Sequence, residues 1–501
     1  MRRLFGAILL ASILLFSATV QAAEILILHT NDIHARILNT DDSGKSMGLA
    51  EMTAAIKKLR KENPNSLWLD AGDTFHGMPI INVSYGKNMV KILNDAGLNA
   101  MTLGNHDFNY GLPKLLELKQ MAKFDVLDAN ITGKVDDKPF FTPYKIYTLK
   151  NNVKVGVFGL TTPDTAFKAR PVLVSGLNFL DPVTVAKRMV KTLRPKCDVL
   201  IAVTHLGVDM ADKFTSVQVA NAVDGIDLIV DGHSHTVLPS GMTINNTLIV
   251  QTGSHAYNIG KATIELDGKK IVEKRSELIS KDDAQKIAPT PDKKVLATIN
   301  RIEKDTQKLF NQVIGHSDRS FSSERSVIRT SENELGDLVA DAFRWRTGAD
   351  FAVVNGGGIR EDLPAGNITK GDMMSTFPFG NQLQVVEIDG KTIRQMLEHS
   401  VSHYPETFGG FLQVSGITFN YDSNKNVGSR VGDIYVNNKL IDDNSKYTMA
   451  TVDFLLDGGD DYECLKVLPV IGKFGTLEEV FGDYINEVGI NNISMGRIIR
   501  K

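Results

Sequence analysis

Aspartate, asparagine and histidine cluster in this sequence just after short apolar runs, and these are side chains that bind divalent cations. Ile25–Leu28 leads into His29-Thr30-Asn31-Asp32-Ile33-His34, and Ser66–Leu69 into Asp70-Ala71-Gly72-Asp73. Ala100–Leu103 leads into Gly104-Asn105-His106-Asp107, Val199–Val203 into Thr204-His205, and Leu228–Val230 into Asp231-Gly232-His233-Ser234-His235. A single Asp-x-His or Gly-Asn-His-Asp is more often a turn than a site. Five together, each at the carboxyl end of a predicted strand, lie where open α/β sheets build their sites. Asp32 and His34 are two apart, as are His233 and His235, so each pair can face one site from an extended segment. Imidazole with carboxylate suits Zn, Mn or similar ions, not Ca. Seven such groups exceed one centre. A shared carboxylate would give two centres roughly 3.5–4 Å apart, the geometry used for phosphate-ester hydrolysis.

The elements that must position these residues follow from hydrophobic pattern. Between the apolar runs, and a further one at Val153–Leu160, lie amphipathic stretches at Leu49–Arg60, Asn88–Ala96, Leu112–Met121 and Pro182–Leu193. Strands rich in Val, Ile and Leu on both faces, with helices between them, predict a layered α/β domain over residues 24–290. The chain turns polar around Ser280–Thr290, and Lys293–Phe310 then predicts one long helix with Val295, Ile299, Ile302, Leu309 and Phe310 near one face. It reads as a connector, residues 291–312, to a second, smaller α+β domain over 313–501. Helices are expected there at Leu335–Arg346 and Lys391–Ser400, and strands at Phe351–Val354, Leu383–Ile388, Ile417–Tyr421 and Thr448–Val452.

Three segments of that second region could grip an anion and an aromatic ring. Val353-Val354-Asn355-Gly356-Gly357-Gly358-Ile359-Arg360 is a strand, a glycine loop and an arginine, through which backbone N–H groups and a guanidinium can approach an anion. Ser375-Thr376-Phe377-Pro378-Phe379-Gly380-Asn381 and Asp453-Phe454-Leu455-Leu456-Asp457-Gly458-Gly459-Asp460-Asp461 place aromatics beside Gly and Pro turns. Core packing is the commoner fate of Phe. Its placement at turns, outside periodic segments, favours a binding role here.

Composition bounds the partners. The chain has 501 residues, 42% hydrophobic and 23% charged, as a folded chain should. Its net charge of −3 excludes a general nucleic-acid binder, so no nucleic-acid polymer is expected as a partner. Two cysteines, Cys197 and Cys464, exclude a disulfide framework or a cysteine-rich metal site and are expected to be unpaired. Met1-Arg2-Arg3, an apolar Leu4–Phe16 and a small-residue run to Ala22-Ala23 predict a secretory signal over residues 1–23. The C-terminal Arg497-Ile498-Ile499-Arg500-Lys501 lacks an apolar tail. A periplasmic or secreted protein without a stable membrane anchor is expected.

Asn31-Asp32-x-His34, Gly72-Asp73, Gly104-Asn105-His106-Asp107, His205 and Gly232-His233-Ser234-His235 resemble the five blocks of the calcineurin-like metallophosphoesterases. Their order and spacing, together with the second region, resemble the secreted 5′-nucleotidase family, which includes UDP-sugar hydrolases. The resemblance implies a four-layer α/β/β/α domain followed by a substrate-binding domain, with two divalent ions such as Zn or Mn as cofactors. It implies Asp32, His34, Asp73 and His235 as ligands of one metal, and the bridging Asp73, Asn105, His205 and His233 as ligands of the other. His106 would face the scissile phosphate, with metal-bound hydroxide as the nucleophile. The position three beyond His106, an Asp in many members, is Asn109 here, which can hydrogen-bond the ring but cannot stabilise an imidazolium by charge. Phe379 and Phe454 would sandwich a nucleobase, Arg329, Arg360 and Asn355 would contact phosphate and base, and Asp460 the ribose. Catalysis would then need the two domains to close, with Lys293–Phe310 and its ends as the hinge.

The implied activity is removal of phosphate from nucleoside 5′-monophosphates. Cleavage of 2′,3′-cyclic nucleotides with 3′-nucleotidase activity, suggested by Asn109, and UDP-sugar hydrolysis are alternatives on the same site. A nucleotide- or metal-binding protein without turnover is the alternative from another class.

Overall fold

A computed structural model describes residues 23–39, 44–135, 138–209, 213–490 and 493–501. The expected signal segment lies outside the described residues, except Ala23, which opens the first strand.

The first unit is built from two six-stranded sheets packed face to face. One runs in the order Lys270–Ser280, Asn258–Asp267, Ala23–Thr30, Ser66–Asp70, Ala100–Met101, Asp125–Val126. The other runs Met242–Ile244, Thr247–Val250, Leu228–Val230, Val199–His205, Lys154–Thr161, Tyr144–Thr148. Successive side chains of a strand point to opposite faces, and the core divides accordingly. Ile25 and Ile27 meet Val155, Val157, Val199 and Ile201 between the sheets. Leu26 and Leu28 instead face helices Gly48–Glu62 and Lys87–Ala96. On the far side, Phe158, Leu200 and Ala202 face helix Pro182–Leu193. The result is the four-layer α/β/β/α arrangement. Burying each large aliphatic side chain in these layers stabilises the fold by about 1.5–3 kcal/mol.

Two features depart from the sequence reading. The polar stretch after Ser280 contains a helix, Lys281–Ile287, capped by Ser280 and anchored by buried Ala284. It follows a long antiparallel hairpin, Asn258–Asp267 with Lys270–Ser280, whose outer strand is too polar to read as a strand. Helix Lys293–Phe310 forms as expected, capped by Asp292. Its Val295, Ile299 and Ile302 pack into the first unit's helical core, whereas Leu309 is exposed rather than on the packed face.

The second unit has a five-stranded sheet in the order Leu412–Ser415, Phe351–Asn355, Lys446–Val452, Gln382–Asp389, Val470–Thr476. A four-stranded sheet containing Ile417–Tyr421 and Val431–Val436 shares its core, with helices Glu334–Thr347, Gly390–Ser400 and Leu477–Glu487. Helix Glu334–Thr347 starts where Asn333 accepts from the Gly336 N–H and ends at Gly348, whose φ of 67° closes the last turn. Among the described residues, no helix is long and apolar enough to cross a membrane.

Candidate active site

The carboxyl ends of the parallel strands converge at the mouth between the two sheets. Five of the seven expected metal ligands have left-handed backbones: Asp32 (φ 47°), His34 (47°), Asp73 (55°), His233 (79°) and His235 (58°). Such conformations cost about 1–3 kcal/mol each for non-glycine residues and persist only where the surroundings enforce them. Here the surroundings do. Asp107 accepts the backbone N–H groups of Asp73, Thr74, Phe75 and Gly104 at 2.8–3.0 Å, locking two strand-end turns together. Gly104 fits that lock because a Cβ there would lie 2.1 Å from Asp73 Oδ1. Asp231 does the same for the turn after Val199–His205, accepting from Thr204 Oγ1 and the Leu206 N–H.

Inside this frame Asp32, Asp73 and His205 present one ligand atom each within 4.8 Å of one another, as do His34, His235 and His255. Asp73 Oδ2 lies 3.3 Å from His205 Nε2 and 3.9 Å from His34 Nε2, so it touches both groups. Asp32 Oδ1 lies 3.3 Å from His235 Nε2. His34 and His235 approach each other with Nε2 atoms 3.1 Å apart. Asn105 is buried beside Asp73, with an Oδ1 that has no hydrogen-bond partner among the described residues. His233 lies with its ring 5.0 Å from that of His205, and its Nε2 pairs with Lys168 Nζ at 2.9 Å.

Electrostatics fit cations at this point. Burial pushes the Asp32 carboxyl up to about 7. Burial acts to lower the His205 pKa, yet the carboxylates of Asp73 and Asp32 overcome it and bring it up to about 10. Burial holds His34, His233 and His235 well below the usual imidazole range, leaving neutral rings able to ligate. The His205 ring donates from Nδ1 to the Ala71 carbonyl at 2.7 Å, which aims Nε2 at the two carboxylates, where among the described residues it has no hydrogen-bond partner. Orphaned Nε2 and Oδ1 atoms against paired buried carboxylates are the donor set of a dinuclear site. His255 was not evident from sequence. It follows strand Thr247–Val250 through Gly253, a sixth strand end of the same form.

A cavity of about 1240 Å³ opens over this floor. Asp73, Asn105, His106 and His233 line one side, and Arg329, Asn355, Arg360, Phe379, Phe454 and Asp460 the other. Arg325, also absent from the sequence reading, completes a trio of guanidinium groups with Arg329 and Arg360. Burial lowers Arg329 and brings Arg360 down to about 10, and each is further depressed by its arginine neighbours. Like charges held together this way favour an anion between them. Asn355 donates to Asp460 at 2.8 Å, while its buried Oδ1 has no hydrogen-bond partner among the described residues. Phe379 stacks on His76 at 5.4 Å and lies 5.6 Å from the His106 ring. The Asn109 amide nitrogen is 3.1 Å from His106 Nδ1, and burial lowers the His106 pKa to about 3.

Residues 25–237 match the calcineurin-like phosphoesterase family, and residues 313–467 match the 5′-nucleotidase C-terminal domain. The chain is 31% identical to a snake venom 5′-nucleotidase of Naja atra over 93% of its own length and 96% of that protein. The chain belongs to the 5′-nucleotidase family. It is also 28% identical to the trifunctional nucleotide phosphoesterase protein YfkN of Bacillus subtilis, of which it spans only 34%. The solved 5′-nucleotidase precursor of Thermus thermophilus superposes with a TM-score of 0.85 at 29% identity, covering 95% of this chain and 99% of that one. Members of the calcineurin-like group are hydrolases that use two divalent metals, and the two ligand clusters here match that number.

Proposed function

We propose that the protein is a dinuclear-metal phosphohydrolase acting on nucleoside 5′-monophosphates. The observation that carries this is the convergence of Asp32, Asp73 and His205 on one another, with Asp73 lining a cavity that also holds arginines, aromatics and Asn355. In this reading residues 24–290 hold the metals, 291–312 link, and 313–501 bind the nucleotide. Asp32, His34, Asp73 and His235 would hold one cation, and Asp73, Asn105, His205 and His233 the other. Two divalent cations held there would supply charge neutralisation of the phosphate and polarisation of its P–O bond.

The chain's own residues do the rest. Arg329 and Arg360 hold the anion, and Phe379 and Phe454 stack the base. Asn355 contacts the nucleotide, and Asp460 takes the ribose. His106, with Nδ1 facing the Asn109 amide, directs Nε2–H at a phosphoryl or leaving oxygen. The basic start, apolar run and small-residue end of residues 1–23 support export to the periplasm or medium.

Asn109 favours a second reading on the same site, cleavage of 2′,3′-cyclic nucleotides, because ring strain in the cyclic ester helps expel the ribose oxygen where a His106 without a carboxylate partner is the weaker general acid. Chromatographic analysis of the products formed from AMP, 2′,3′-cyclic AMP and UDP-glucose, with Mn or Zn and with EDTA, tests both: adenosine and phosphate from AMP, an adenosine monophosphate from the cyclic ester, UMP from the sugar nucleotide. AMP turnover abolished by EDTA is expected. Preference for the cyclic substrate would install the second reading, and no metal-dependent conversion of any of the three would leave a binding protein.

A further inference from the structure

His76 lies three residues beyond Asp73, is buried at the seam between the two halves, and belongs to no ligand set. Its Nε2 is 3.2 Å from the carbonyl oxygen of Pro378, in the second half, and its Nδ1 is 3.2 Å from Asn109 Nδ2. The same Asn109 nitrogen is 3.1 Å from His106 Nδ1. The three side chains therefore form one line from a backbone carbonyl of the nucleotide half to the histidine at the phosphate.

The chemistry of the line runs in one direction. A carbonyl oxygen only accepts, so His76 carries its proton on Nε2. Among the described residues no carboxylate hydrogen-bonds this buried ring, so a second proton would leave an uncompensated charge. His76 Nδ1 is thus an acceptor, and Asn109 must turn its NH₂ towards it. That NH₂ has a second hydrogen, which points to His106 Nδ1 and fixes it as an acceptor too. The His106 proton is then placed on Nε2, the nitrogen left for substrate. With Asn109 turned the other way, its oxygen would need a proton on both Nδ1 atoms, and His76 would set a lone pair against the Pro378 carbonyl. Asn82 also donates to that carbonyl, at 3.3 Å, and Phe379, the next residue, stacks on His76 with rings 10° from parallel.

We propose that His76 is a positioning residue that, through Asn109, sets the tautomer of His106 only when Pro378 is docked against it. This rests on the phosphohydrolase reading and deepens it. Closure of the nucleotide half then does more than deliver substrate, because it orients the hydrogen bond that meets the phosphate. In the open molecule His76 loses its acceptor, Asn109 can rotate, and His106 exchanges between tautomers. The device takes the place of the carboxylate that Asn109 does not provide.

The test uses the full chain loaded with Zn and assayed with AMP. His76→Phe keeps the ring stacked on Phe379 but cannot relay. It should lower kcat by about 10- to 100-fold, the range for losing a partner that orients an imidazole, with KM and Zn content little changed. His76→Gln can donate to Pro378 and accept from Asn109, and should retain most of the activity. Nitrogen-15 NMR of histidine-labelled protein should show His106 protonated on Nε2 in the wild type with a nucleotide product bound, and mixed tautomers in His76→Phe. Unchanged kcat in His76→Phe, equal losses in the Phe and Gln variants, or an unchanged His106 tautomer in His76→Phe would overturn the proposal. Failure of the wild type to turn over any nucleotide would instead sink the phosphohydrolase reading, and the spectra alone would then decide the relay.

Discussion

The metal end of the cleft and its nucleotide end are built by opposite means. At the metal end, Asp32, Asp73 and His205 are almost fully buried, and their loops are locked by Asp107, Asp231 and strained backbones. At the nucleotide end, Phe379, Phe454, Arg329 and Arg360 are only half-buried, and an Asn355 oxygen has no partner among the described residues. Ions of fixed radius need ligands held before they arrive. A base that binds by stacking needs a surface that excludes water and tolerates variation. Loss of a group should therefore act all-or-none at one end and by degrees at the other.

The sharpest break is at Asp73, the carboxylate that touches both ligand clusters. We predict that Asp73→Asn loses at least one metal equivalent, measured by elemental analysis after dialysis. Removing Lewis-acid help worth several kcal/mol should lower kcat/KM about a thousandfold or more. Two retained metals with near-normal turnover would mean that the rigid end is not organised around this residue.

A graded response is expected at Phe454. Its ring stands over Gly459, where a Cβ would lie 2.4 Å from it, and lines the cavity while packing on the second unit's core. Loss of one stacking surface worth about 1–3 kcal/mol should raise KM for AMP by roughly 5- to 150-fold in Phe454→Ala. Hydrolysis of a small aryl phosphate, which has no base to stack, should stay nearly intact. Equal losses on both substrates would assign Phe454 to the core.

This contrast also explains how much could be read from the sequence. Strand ends followed by Asp, Asn or His were legible because apolar runs and ligand types are local. Leu228–Val230 and Lys293–Phe310 form as their patterns predict. Which polar group ligates and which braces was not legible from type alone. Asp107 and Asp231 sit in the same motifs as Asn105 and His233, yet they are spent on backbone N–H groups. His255 was missed because its strand, Thr247–Val250, was not among the runs recognised, and Arg325 because it sits on a short helix, Arg325–Ile328, without a motif. The hairpin strand Lys270–Ser280 escaped because its partner, not its own composition, makes it a strand. His76 acquires meaning only from Pro378, some three hundred residues away.

The smallest expected effect lies between the two ends. Arg170 in the first half pairs with Asp453 at 3.0 Å and Asp457 at 2.9 Å in the second, flanking Phe454. Arg36 makes a second such pair with Glu361. Ion pairs with partly exposed guanidinium groups contribute about 0–1 kcal/mol each, so losing both Arg170 pairs in Arg170→Ala should shift the balance between closed and open forms by no more than about thirtyfold. Small-angle scattering should show a larger radius of gyration for the substrate-free variant, and salt should expand the wild type towards it, because screening weakens the same contact. Metal content should not change, since no metal ligand is touched. An unchanged radius would place the hold between the halves on Pro378 and the aromatic seam instead. A fall in turnover as large as that of Asp73→Asn would mean that the two ends are not separable, and that the cleft works as one rigid site.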